Sequence, residues 1–295
     1  MRILLIGGHG FIGSNLIKKF NREFDFVVIS SKKGIDTGDI KTEYISVTNK
    51  KIVKIIETLN PDIIIHLAAL SGLKKCENDP KKAFEVNVTG TKNIVEGCLK
   101  TNAKLIFISS REVYGSTINE KSNEDDMLNP DNIYGQTKVN AEKIIQNAAK
   151  IFELNYVILR LTNVYGPGSN SGVNRIIRES LSKEKILVNG GEQILNFIFI
   201  EDEVELIYLV ILNNKLSKQI LNIGSNDTSS LKKFVELLEE LLNDPINIQY
   251  GEKPSFESLF FCPDIRKQQN IFGYDFKYSL EEGIIKTLQY MRINS

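Results

Sequence analysis

Little in this chain of 295 residues invites a metal, a membrane or a nucleic acid. It has three cysteines, Cys76, Cys98 and Cys262, with no metal-type pairing and no even set for disulfides. That usage suits a reducing compartment, and a cytoplasmic location is expected. There are only two histidines, His9 and His66. Without a close cluster of Cys, His and Asp, no metal site is expected. Lys plus Arg equals Asp plus Glu at 37 each, so no net charge draws the chain to nucleic acid or a membrane surface. No apolar run reaches the roughly 18 residues of a membrane span. The first apolar stretch is shorter still and passes into glycines, unlike a signal peptide. No internal repeat or low-complexity linker is present.

The length is ample for a sizeable core and suits one large α/β domain, alone or with a smaller lobe. Apolar residues make up 42% and charged residues 25%, as in an ordinary globular chain. The organising stretch is the first. Ile3 to Ile6 reads as a short buried strand and Gly7 to Gly13 as a glycine turn. Ser14 to Phe20 reads as a helix with Leu16, Ile17 and Phe20 on one side. Strand, glycine turn and helix make a dinucleotide-binding start. Glycine is needed there for a tight turn, for backbone approach to a pyrophosphate, and for close packing of helix on strand. The free N–H groups of the helix start then face the phosphates. The spacing here is Gly7-x-x-Gly10-x-x-Gly13, and an ordinary glycine-rich turn is the plainer alternative.

A second strand, Phe26 to Ile29, ends in Ser30-Ser31-Lys32-Lys33, where a dinucleotide fold meets the adenosine ribose. An acid at this point would bond the 2′-hydroxyl and repel a 2′-phosphate. Two hydroxyls and two ammonium groups lean instead towards NADP, with NAD possible; the alternative is a solvated pair of loop lysines. Tyr44 to Val47 suggests a third strand, and Lys51 to Leu59 a short helix stopped by Asn60-Pro61. Asp62 to Ala69 reads as a buried strand, with His66 a core histidine and small Ala68 and Ala69 at its ligand-facing end. Pro80 to Lys100 reads as one long helix, in which Gly90 implies close packing or cofactor approach. Leu105 to Ser110 is the next strand, and a helix opens at Tyr134 and runs to about Phe152. Amphipathic helices at Leu231 to Leu242 and Leu280 to Met291 suit a covering role.

Tyr134 and Lys138 are four apart on a helix and share a face. A free tyrosine titrates near pH 10, so making it a base at neutral pH needs roughly 4 kcal/mol of preferential phenolate stabilisation. A nearby ammonium supplies part of this, and an oxidised nicotinamide more. Ser110, arriving from a strand end, can hydrogen-bond a substrate oxygen against the phenol. The set makes a proton shuttle beside a hydride carrier.

These stretches together resemble the extended short-chain dehydrogenase/reductase family, in its nucleotide-sugar epimerase/dehydratase branch. The matching segments are the Gly7 loop, His66-Leu67-Ala68-Ala69, Asn87 to Thr91, Ser109 to Gly115, Tyr134 to Lys138 and Leu159 to Pro167. Gly190 to Gln193, Phe197 to Asp202 and Asn222 to Gly224 extend the likeness nearly end to end. The resemblance implies an α/β fold, a Rossmann doubly wound parallel sheet with a smaller C-terminal substrate lobe. The cofactor domain would take residues 1–167 with return segments at about 197–225, and the lobe about 168–196 and 226–295. It implies Ser110, Tyr134 and Lys138 as catalytic residues. It places Gly7, Gly10, Phe11, Ile12, Gly13, Ser30, Ser31, Lys32, Leu67, Ala68, Ala69, Asn87 and Ser109 at the cofactor with Tyr134 and Lys138. Ser71, Arg111, Glu112, Asn163 and Arg175 would meet a nucleotide-sugar substrate. Family members often pair through the Asn87 and Tyr134 helices, so a homodimer is expected.

Three departures shape the expected reaction. The usual acid after the second strand is missing, and the one after the third is replaced around Ser46-Val47. Ser110-Arg111-Glu112 puts an arginine where sugar 4,6-dehydratases carry the acid that expels water, which argues against dehydration. Leu195 stands where the family usually places an arginine on the diphosphate, with Arg175 or Arg178 as possible replacements. The first reading is NADPH-dependent reduction of a 4-keto-6-deoxyhexose. A nucleotide-sugar 4-epimerase with bound NAD is the second, and a non-catalytic cofactor-binding regulator the third.

Overall fold

Apolar runs that suit a sheet covered on both faces fix the centre of the molecule. The structure is a computed structural model and describes residues 1–116, 121–169, 172–182 and 184–293. The chain begins with β1 (Arg2–Ile6), α1 (Phe11–Phe20), β2 (Asp25–Ser30), β3 (Thr42–Tyr44), α2 (Lys51–Leu59) and β4 (Ile63–His66). It continues with α3 (Leu73–Asn78), α4 (Pro80–Phe84), a π-helical turn (Glu85–Thr89), α5 (Gly90–Thr101) and β5 (Lys104–Ser110). After β6 (Lys121–Ser122) come α6 (Ile133–Phe152), β7 (Tyr156–Leu161), β8 (Asn163–Tyr165) and α7 (Val173–Ser180). Then follow β9 (Ile186–Asn189), β10 (Ile194–Phe199), α8 (Ile200–Leu212), β11 (Gln219–Ile223), β12 (Thr228–Ser230) and α9 (Leu231–Leu242). The last elements are β13 (Ile248–Gly251), β14 (Cys262–Pro263), α10 (Arg266–Phe272) and α11 (Leu280–Ile293).

Seven parallel strands form the main sheet in the order β11-β7-β5-β4-β1-β2-β3. This is the doubly wound α/β fold. Alternate side chains of β1 enter two cores. Ile3 and Leu5 pack with Leu16 and Ile17 of α1 and with Ile207 of α8. Leu4 and Ile6 pack with Ile52 and Ile56 of α2, Ile94 of α5 and Ile145 of α6. The strand order reverses between β1 and β4, so a crevice opens at their C-terminal ends. The remaining strands make a small sheet, β12-β10-β8, and the pairs β13-β9 and β14-β6. No helix among the described residues is long and apolar enough to cross a membrane.

Three elements differ from the sequence expectation. The third strand lies at Thr42–Tyr44 rather than Tyr44 to Val47, because pairing with β2 sets its register through Val28↔Thr42 and Ser30↔Tyr44. Val47 instead leaves the sheet and is buried beneath Gly90, where a Cβ would lie 2.6 Å from its Cγ2. The glycine therefore serves close packing. Second, β4 stops at His66, and the chain from Leu67 to Ser71 turns along the crevice. Third, the helix expected over Pro80 to Lys100 contains the π-turn. His66 is a core histidine as expected: it is buried, its Nε2 pairs with Thr91 Oγ1 at 3.1 Å, and burial holds its pKa down at about 3.

On α8, two adjacent carboxyls behave differently. Asp202 accepts from Tyr274 Oη at 2.7 Å and from the backbone N–H of Lys277 at 3.0 Å, pinning the segment before α11. Glu203 is 0% exposed, and neither of its oxygens has a hydrogen-bond partner among the described residues. Burial, and then Asp202, raise its pKa from 4.5 to about 8. The folded protein holds a proton there that the unfolded chain releases, so stability falls as pH rises from about 4.5 to about 8. Glu203→Gln is expected to remove that decline, measured by urea unfolding across the same pH range. An unchanged slope would contradict this.

Candidate active site

The glycine turn between β1 and α1 is shaped by contacts that a side chain would break. Gly7 has φ +86°, and a Cβ there would lie 2.8 Å from the backbone N of Ala68. At Gly13 a Cβ would lie 2.6 Å from the Gly8 backbone, so the helix start can sit this close to the turn only with glycine. Gly10 precedes α1 without a side-chain cap, and the first residues of the helix line a cleft of about 530 Å³.

That cleft gathers nearly all of the expected cofactor residues: Gly7, Gly10 and Phe11 to Gly13, Ser30 to Lys32, Leu67 to Ala69, Ser109, Tyr134 and Lys138. Ser110 and Ser71 line it as well. Asn87 does not. It is buried, donates to Leu70 O at 3.1 Å and to Thr137 Oγ1 at 2.9 Å, and accepts from Leu70 N–H at 2.7 Å. The π-turn presents Val86 to the cleft instead. Asn87 thus braces the wall from behind. Ser30 Oγ donates to Lys32 O at 2.7 Å and shapes the turn that carries both lysines. Lys33, named with Lys32 at the end of the second strand, lines the cleft too, as do His9, Thr162 and Val164, which the glycine and strand-end patterns alone did not single out.

The chemical end of the cleft is built where β5 meets α6. Asn132 caps α6 by accepting from Gly135 N–H at 2.8 Å. Tyr134, Lys138 and Glu142 then rise along one face. Ser110 Oγ accepts from the backbone N–H of Glu112 at 3.2 Å and lines the cleft together with Tyr134. Lys138 Nζ donates to Ile108 O at 2.7 Å, and Ser109 Oγ donates to Glu142 Oε1 at 2.5 Å. Burial pulls the Lys138 ammonium down to about 8, against the opposing pull of Glu142. Burial, followed by the charge of Glu112, raises Tyr134 above the ordinary phenol range, with the Ser110 hydroxyl pulling the other way. Lys138 Nζ lies 5.7 Å from the Tyr134 ring centre. Among the protein's own groups, then, burial outweighs the lowering of Tyr134 expected from Lys138, and the phenol keeps its proton at neutral pH.

The expected substrate residues divide. Glu112 is buried, ion-paired with Arg111 at 2.9 Å and accepts from Asn132 Nδ2 at 2.7 Å. Arg111 also lies over the Phe261 ring at 5.6 Å. Asn163 donates to Asn196 O at 2.9 Å. Arg175 is a correction to the sequence reading as a phosphate clamp. The buried face of α7 carries Val173, Asn174, Ile176 and Ile177, so Arg175 turns outward to Glu179 at 2.6 Å and Leu187 O at 3.1 Å.

The sequence model of the NAD dependent epimerase/dehydratase family matches residues 3–224. The chain belongs to this family. It is 30% identical to a UDP-N-acetyl-alpha-D-glucosaminuronate decarboxylase of Bacillus cytotoxicus, over 99% of this chain and 98% of the relative. It is 28% identical to a putative UDP-glucose 4-epimerase of Methanocaldococcus jannaschii, over 99% of both. Among solved structures, MoeE5 in complex with UDP-glucuronic acid and NAD superposes with a TM-score of 0.94 at 27% identity, over 100% of each chain. The cradle fits the cofactor of the NAD dependent epimerase/dehydratase family. Phe11 to Gly13 would hold the pyrophosphate at the helix start, Ser30 to Lys32 the adenosine ribose, and Lys138 with Tyr134 the nicotinamide ribose. Gly13→Ala pushes the helix start off the turn, and cofactor affinity by calorimetry is expected to fall at least about tenfold. Wild-type affinity would contradict the fit.

Proposed function

We propose that this protein is an NADP(H)-dependent oxidoreductase acting on a nucleotide-activated sugar, reducing a 4-keto-6-deoxyhexose. The observation that carries the reading is the make-up of one cleft. Ser110, Tyr134 and Lys138 meet at one end, and Ser30, Ser31, Lys32 and Lys33 at the other, with no acidic residue among the described lining residues. A wall of ammonium groups without a carboxylate favours a 2′-phosphate. The sugar part of the reading rests on the names of the relatives, which carry UDP-sugars.

In the proposed step Ser110 donates to the ketone oxygen and holds it beside Tyr134. The cofactor supplies the hydride. Tyr134 transfers its phenolic proton to the developing alkoxide, and the product is a secondary alcohol. The phenolate left behind is stabilised by Ser110 and by the Lys138 charge. Arg111 paired with Glu112 leaves no acid in the place a water-expelling step requires.

A second reading, 4-epimerisation with cofactor reoxidised in place, is supported by the epimerase among the relatives. Stoichiometry separates the two. With a nucleotide-activated 4-keto-6-deoxyhexose, reduction consumes one NADPH per product, whereas no net consumption with a nucleotide hexose would favour epimerisation. Lys32→Ala with Lys33→Ala is expected to weaken NADPH binding about tenfold, about 1.4 kcal/mol, and to leave NADH binding unchanged. Equal loss for both cofactors would remove the 2′-phosphate argument. A homodimer through α5 and α6 belongs to the same proposal. The outward residues Gln136, Asn140, Lys143 and Asn147 of α6 are polar, so hydrogen bonds would hold that interface. A monomer by light scattering would remove it.

A further inference from the structure

Behind the cleft lies a buried ionic cluster that the proposed reaction does not use directly. Glu142 is 1% exposed and Arg160 is 2% exposed. Arg160 Nε donates to Glu142 Oε1 at 3.2 Å and Nη2 to Oε2 at 2.8 Å, a bidentate pair. Ser109 Oγ donates to the same Oε1 at 2.5 Å. Ser109 and Arg160 are register partners on the neighbouring strands β5 and β7. One carboxylate therefore grips both members of a rung of the main sheet, from a helix that also carries Tyr134 and Lys138. Arg160 is held on its far side by Tyr114 Oη at 2.9 Å and Glu124 O at 3.0 Å. Tyr114 in turn donates to Asn222 Oδ1 of β11 at 2.7 Å.

We propose that Glu142 is a positioning residue: by gripping the Ser109–Arg160 rung it sets the end of β5 against α6, and so fixes both the place and the charge of Lys138. The inference rests on the reading that Lys138 serves the reaction. The groups facing Lys138 come from four elements. Tyr134 and Glu142 lie on its own helix, Cys76 on α3, and His66 on β4. Ile108 O and the Phe107 ring, 4.7 Å from Nζ, lie on β5. Burial keeps His66 neutral at physiological pH and raises the Cys76 thiol, so neither supplies a full charge there. Glu142 is the carboxylate among these groups, and it opposes the burial that draws Lys138 down. Removing its charge takes away the carboxylate that opposes burial and leaves the Arg160 guanidinium unpaired behind Lys138, and both changes favour the neutral amine.

The test follows the Lys138 side-chain titration by heteronuclear NMR, with Lys138→Gln for assignment, in wild type, Glu142→Gln and Glu142→Asp. Glu142→Gln is expected to lower the Lys138 midpoint by about one pH unit, a tenfold change in its protonation equilibrium. The alkaline limb of kcat should move down with it while KM for the sugar is unchanged. Glu142→Asp keeps the charge and should return the midpoint towards wild type, a rescue that a purely structural role does not predict. If Glu142→Gln does not fold, the double variant Glu142→Gln with Arg160→Gln leaves no unpaired guanidinium, and a lowered Lys138 midpoint is again expected, by less because a positive charge has gone as well. An unchanged midpoint in either folded variant overturns the proposal. Absence of turnover with any sugar nucleotide would count against the functional reading, while the NMR titration would still decide the role of Glu142.

Discussion

The joint between the end of β5 and one face of α6 is the constraint on which the site depends. Ile108, Ser109 and Ser110 are consecutive; Tyr134, Lys138 and Glu142 are spaced by four. A strand sends successive side chains to opposite faces, and a helix returns to the same face about every four residues. Leu105 and Phe107 pack into the core shared with α6, and Ser109 continues that face to reach Glu142. The backbone of Ile108 serves Lys138, and Ser110, at the strand end, lines the cleft with Tyr134. Parts of two regular elements thus define one chemical position.

The rest of the fold holds that joint in relation to the cleft. The glycine turn brings α1 close enough to offer its N–H groups, and its packing against Ala68 ties it to the chain leaving β4. Asn87 locks that same segment to α6 through Leu70 and Thr137. The wall of the cleft and the helix that carries Tyr134 and Lys138 are therefore coupled through short polar contacts. On the substrate side, Asn132 does two tasks: its Oδ1 caps α6, and its Nδ2 holds Glu112 and the backbone of Phe256.

Much of this was legible before the structure. The apolar runs, the glycine spacing in its strand–helix setting, and Tyr134 with Lys138 on one helical face each have a local physical cause. Helix α2 falls on Lys51–Leu59, as its periodicity and Asn60 predict; Asn60 takes the left-handed conformation at its end. What was not legible depends on a partner distant in sequence. The register of β3 is set by β2, and the π-turn moves Asn87 out of the cleft. Arg175 looked like a spare cation until α7 showed which of its faces is buried. Glu142 follows Lys138 by four, but its meaning lies in Arg160, eighteen residues on and in a strand.

The most direct test of the joint as a reaction centre is a single-turnover measurement of hydride transfer, read from nicotinamide absorbance, in wild type and Tyr134→Phe. Cofactor affinity is measured alongside. The account predicts that the variant binds cofactor as wild type does and transfers hydride about 10²–10⁴-fold more slowly, the loss of a positioned proton donor. Equal rates in the two proteins would contradict it, because the phenol would then have no part in the step that the rest of the site is built to align.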